Sequence, residues 1–136
     1  MQINCYLNFK GECEAALKFY EQALGANVHM LMRFGDSPMA AEVSPEWKDK
    51  VVHARCTIGE TILMASDAPP DRYVRPQGFS VNLGTATAEE AERAFAALSA
   101  GGKVEMPLQP TFWATRFGIV TDRFGTPWMV NCEIAP

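Results

Sequence analysis

Two histidines, His29 and His53, are the side chains here whose ordinary titration falls near neutral pH. His53 stands in Val52-His53-Ala54-Arg55-Cys56-Thr57-Ile58, where alternation puts Val52, Ala54, Cys56 and Ile58 on one face and His53, Arg55 and Thr57 on the other. The apolar face belongs under a helix. His53 then points to the concave side, where a neutral imidazole suits a general base; a hydrogen-bonded histidine that fixes the sheet is the competing reading. His29 has nothing comparable in its favour and reads as half-exposed. Asp67 follows Ser66 at a strand end, where it could orient His53 or cap a turn before a Pro-rich linker. Met64 and Ser66 share a face of the strand beside His53. Cys5 could be a nucleophile with His53 as its base, but no feature of the sequence lowers its thiol pKa, and a small buried apolar residue is the preferred reading. Phe112 and Trp113 fall on a loop, where two large aromatics either cover a cleft or pack across a dimer interface. Asn131 could orient a polar ligand atom or simply satisfy the last strand, and Phe79 and Trp128 read as wall or core. The expected site is therefore His53, Trp113, Met64, Ser66 and Asn131 with Asp67 at its rim. His53 and Asp67 carry the chemistry, and Cys5, Phe79, Phe112 and Trp128 are further candidates for contact with a small-molecule ligand.

The elements that must position these residues follow from periodicity. Gln2–Phe9 reads as a strand, and the apolar stripe Cys13, Ala16, Leu17, Tyr20, Leu24 predicts a helix from about Gly11 to Leu24, closed by Gly25. Residues 26–34 alternate as a strand. Gly35, Pro38 and Pro45 break the pattern over 35–50, a loop with a helical turn at Glu46–Lys50. Val51–Ile58 and Thr61–Ser66 form a hairpin about Gly59-Glu60, and a linker runs from Ala68 to near Gln77. The order then repeats: a strand at Gly78–Gly84, a helix at Ala88–Ala100 opened by Thr87 with Glu90 in capping-box spacing and stopped by Gly101-Gly102, and strands at Val104–Gln109, Thr115–Thr121 and Pro127–Ile134. Gly25 matches Gly101, and Gly59 matches Gly125. The fold class is α+β: two βαβββ repeats, about 1–67 and 77–134, in a single domain with a cleft between curved mixed sheets.

The 136 residues suit one domain, and 48% hydrophobic with 21% charged residues is an ordinary globular composition. No apolar run approaches the roughly 20 residues that cross a bilayer, and Met1–Asn4 shows no basic or apolar signal pattern. With a net charge of -4 and scattered Lys and Arg, neither nucleic acid nor an anionic membrane is an expected partner. Cys5, Cys13, Cys56 and Cys132 make no C-x-x-C pair, which points to reduced thiols and a cytoplasmic protein. No glycine cluster follows a strand in the manner of a dinucleotide or adenosyl-donor site, and no cofactor is expected.

Cys5-Tyr6-Leu7-Asn8-Phe9-Lys10-Gly11, Glu14-Ala15-Ala16-Leu17-Lys18-Phe19-Tyr20 and Leu24-Gly25 resemble the opening of glyoxalase-type domains. His53-Ala54-Arg55, Ile58-Gly59-Glu60, Leu63-Met64-Ala65-Ser66-Asp67, Thr111-Phe112-Trp113-Ala114, Thr121-Asp122-Arg123-Phe124-Gly125 and Trp128-Met129-Val130-Asn131 are similar to the PhnB-like branch of the vicinal-oxygen-chelate (glyoxalase/fosfomycin resistance/dioxygenase) superfamily. That resemblance implies a divalent metal held by His, Glu and Gln from the first and last strands of each repeat. Here those positions fall on Cys5, Met64, Phe79 and Met129, with Asn131 two residues on, a donor set unlike a hard-cation site. The expectation is metal-independent action on a small organic molecule, or ligand sequestration of the resistance type. A homodimer is expected, with exchange of repeats between protomers open to it.

Overall fold

The computed structural model of the protein describes residues 1–134. Its internal contacts divide the chain into two units, Met1–Val74 and Arg75–Pro136.

In the first unit, β1 (Cys5–Phe9) leads into α1 (Cys13–Leu24), followed by β2 (Asn27–Arg33), β3 (Val51–Ile58) and β4 (Thr61–Asp67). The sheet order is β1-β4-β3-β2, with β1 parallel to β4 and the other pairs antiparallel. The helical stripe is as its spacing requires: Cys13, Ala16, Leu17 and Tyr20 are buried, against a sheet face carrying Leu7, Phe9, Ala54, Cys56, Leu63 and Ala65. Burying a side chain the size of Leu17 contributes about 1.5–3 kcal/mol. Gly25 ends α1 at φ 69°, in the left-handed region, with its N–H donating to Glu21 O. The 35–50 segment is less irregular than expected. It holds short turns of 3₁₀ helix at Phe34–Asp36, Ala40–Glu42 and Pro45–Trp47, the last opened by Pro45, whose missing N–H costs nothing there. Arg33 on β2 pairs bidentately with Glu14 on α1, at 2.8 and 3.1 Å.

The second unit repeats the topology with β5 (Val81–Gly84), α2 (Ala88–Ser99), β6 (Lys103–Gln109), β7 (Ala114–Thr121) and β8 (Pro127–Glu133), in sheet order β5-β8-β7-β6. Thr87 Oγ1 accepts from Glu90 N and caps α2. Ala91, Ala94, Phe95 and Leu98 are buried beneath it. At Gly118 on β7 an added Cβ would lie 2.7 Å from Phe95 Cε2 and 3.0 Å from Leu108 Cα, so the glycine admits the ring of Phe95 to the sheet. β6 is an outer strand and contains Pro107, with irregular register on either side of Met106. β2, outer in the first sheet, has its own register shifts at Val28/Met30 and Met32/Arg33.

Two strands begin three residues later than their alternation suggests. The ladder of β1 starts at Cys5 rather than Gln2, and that of β5 at Val81 rather than Gly78. In β5 the partner strand runs out at Pro127, which has no N–H to give.

Candidate functional site

β3 and β4 set the faces of the first sheet. Ala54 and Cys56 on β3, and Leu63, Ala65 and Asp67 on β4, are buried on the helix side. His53, Arg55 and Thr57, with Ile62, Met64 and Ser66, project from the opposite face. β1 adds Tyr6 and Asn8 to that same face, Tyr6 in register with Met64 and Asn8 with Ser66. There Tyr6 Oη and His53 Nδ1 lie 3.0 Å apart in a hydrogen bond, with their rings stacked at 5.7 Å and 24° between planes. The direction of this bond follows the imidazole tautomer: the Nε2–H form accepts from the phenol, and the Nδ1–H form donates to it. His29 reaches the face from β2, its Nε2 at 2.9 Å from Thr57 Oγ1.

His53, Met64 and Ser66 are therefore brought together as expected. Asp67 is not with them. It is 3% exposed on the helix side, where Oδ1 accepts from Gly11 N and Cys13 N and Oδ2 from Val51 N, each at 2.9 Å. It ties the start of α1 to the start of β3, which is a structural duty rather than the orienting role expected for it. Cys5 shares the helix-facing parity of Leu7 and Phe9, and burial pushes its thiol pKa up, the reverse of what a nucleophile needs. Burial likewise raises Cys13 and Cys56. Tyr6 was not among the residues expected at the site. Its signal was present in the alternation of β1, where Tyr6 and Asn8 oppose Cys5, Leu7 and Phe9.

The remaining candidates belong to the second unit. Trp128 is 1% exposed, on the helix side with Val130 and Cys132, and its Nε1 donates to Asp122 Oδ2 at 2.8 Å, so it is core. Asn131 has the opposite parity, beside Phe117 on β7; its Nδ2 donates to Glu133 Oε1, while its buried Oδ1 has no hydrogen-bond partner among the described residues. Trp113 packs edge-on against Phe117 at 5.1 Å and against Phe112 at 4.7 Å, and Phe112 is 92% exposed. Phe79 precedes β5 and is half-exposed. Among the described residues no group of three or more His, Cys, Asp or Glu could hold a metal ion. Together with Cys5, Met64, Phe79 and Met129 at the positions where the family would place its ligands, the side chains present do not fit a hard divalent cation. No helix of the described residues is long and apolar enough to cross a membrane.

Comparison with known proteins gives the setting. Residues 2–130 match the model of the Glyoxalase/Bleomycin resistance protein/Dioxygenase superfamily. Protein YjdN of Escherichia coli K12 is 40% identical, over 96% of this chain and 95% of its own. Among solved structures, PA1353 from Pseudomonas aeruginosa is 49% identical with a TM-score of 0.86, covering 98% of both chains. A PhnB protein from Bacillus cereus shares the fold at 24% identity, TM-score 0.82, over 98% of this chain and 100% of its own.

Proposed function

The chain belongs to the glyoxalase/bleomycin resistance protein/dioxygenase superfamily, with PhnB-like relatives, and within it we propose a metal-independent enzyme that moves a proton on a small organic molecule. The observation that carries this reading is the Tyr6–His53 pair on the sheet face turned away from α1. When Nδ1–H donates to Tyr6 Oη, the lone pair of His53 Nε2 is free to take a substrate proton, and the phenol oxygen stabilises the imidazolium that results. Ser66 and Asn8, neighbours on that face, supply hydrogen-bonding groups for orientation, and Met64 supplies an adaptable apolar wall. No cofactor enters this chemistry. We place the protein in the cytoplasm as a homodimer, with protomers able to exchange repeats, and with neither nucleic acid nor membrane as partner.

The second reading is sequestration of an aromatic or hydrophobic compound without reaction, favoured by the edge-to-face cluster of Phe112, Trp113 and Phe117 in the second unit. Solvent-deuterium exchange into small ketones and keto acids such as pyruvate, followed by NMR, separates the two. The enzyme reading expects exchange above the protein-free blank, reduced about 100-fold in His53→Gln, which is the usual size of a lost general base. Saturable binding with exchange no faster than the blank transfers the case to sequestration. Exchange that His53→Gln leaves intact removes His53 from the mechanism.

A further inference from the structure

Three arginines stand in strands, and they are treated differently. Arg33 on β2 is paired with Glu14, and Arg116 on β7 with Glu92 at 3.0 Å. Arg55 on β3 has no carboxylate partner among the described residues. It is exposed, and the residues registered beside it are Met30 on β2 and Met64 on β4. The chain holds 16 acidic residues against 12 basic ones, so an unpaired cation is not for want of carboxylates. The strands of the first sheet contain one acid, Asp67, and it lies on the opposite face with its oxygens engaged by backbone N–H groups. The Tyr6–His53 face thus has a guanidinium and no strand carboxylate to neutralise it.

From this we infer that the substrate carries an oxyanion, a carboxylate or a phosphoryl group, which Arg55 holds in a bidentate bond while His53 acts on an atom nearby. The inference rests on the proton-transfer reading of the same face and names its substrate class. The spacing suits it. Arg55 and His53 are two residues apart on one strand, hence about 7 Å between side-chain origins, within the span of one small molecule. The planar fork of guanidinium matches the two oxygens of the anion, which fixes the molecule's orientation as well as its position. An anion bound there also stabilises the imidazolium formed when His53 takes the proton, so the specificity contact assists the step it orients.

The test is an NMR titration of the full chain with benzoate, phenyl phosphate and benzamide, reading the Arg55 Nε–H and His53 ring signals. Benzamide has the shape of benzoate without its charge. The expected result is saturable shifts of both residues with the anions, benzamide at least tenfold weaker, and loss of that difference in Arg55→Met; Arg55→Lys retains part of it, as a charge without the fork. Tighter binding of phenyl phosphate assigns the phosphoryl group, and tighter benzoate the carboxylate. Benzamide binding as well as benzoate, unchanged anion affinity in Arg55→Met, or no saturable shift with either anion overturns the inference. The exchange experiment on His53→Gln is independent of these, so loss of the anion preference leaves the proton-transfer reading standing, and the converse also holds.

Discussion

Removal of the Asp67 carboxylate would leave the N–H groups of Gly11, Cys13 and Val51 without acceptors, two of them in buried surroundings. Each unpaired buried donor costs about 1–3 kcal/mol, so Asp67→Ala is expected to lower unfolding stability by roughly 3–5 kcal/mol in urea melts. A loss below about 1 kcal/mol would show that water replaces the carboxylate. The effect reaches the site indirectly, since Val51 begins the strand on which His53 lies. At this scale strand parity is the most informative part of the sequence. It fixes His53, Met64 and Ser66 on one face, and the same rule separates Ser66 from Asp67 and Trp128 from Asn131. The backbone duties of Asp67 were not legible, because they join residues distant in sequence through main-chain groups that any side chains would offer. Tyr6 neighbours Cys5, the position at which the family resemblance places a ligand, and alternation alone puts the two on opposite faces of β1.

Period and punctuation locate the elements to within a few residues at their ends. Both helices lie where the apolar stripes and the glycines at 25 and 101 put them, and every strand is present. Less legible was why a glycine stands inside β7, since alternation offers no reason for it. The reason is tertiary: Phe95 of α2 occupies the space of a side chain at Gly118. Gly118→Ala forces that ring or the Leu108 backbone to move and is expected to cost about 1–3 kcal/mol, the usual range for overpacking. Gly84 on β5 is the control, because a Cβ there meets nothing within 4 Å. Equal urea midpoints for the two variants would remove the packing explanation. The Glu14–Arg33 pair joins α1 to β2, and its hydrogen bond holds the Glu14 carboxyl below its ordinary range. A depressed acid stabilises the folded state above its unfolded pKa, and that contribution fades as pH falls through the lower, folded value. Glu14 is more than one-third exposed, so the share is small.

Duplication is the property of the whole chain that the sequence displays most openly: among the described residues the two units share one strand order, and each has one α-helix after its first strand. The proposed homodimer is tested at this scale. Sedimentation equilibrium at micromolar concentration is expected to give twice the 15.0 kDa of one chain, and a mass of one chain would end the proposal. What kind of association the molecule permits is constrained by its outermost strands. An edge with a continuous row of free N–H and C=O groups is a template on which copies can add without limit. Pro107 removes a donor from β6, and shifted register disturbs both β6 and β2. Growth of one sheet into the next molecule is thereby disfavoured at β2 and β6, two of the four sheet edges, and any continuation of a sheet is left to the other two, β1 and β5.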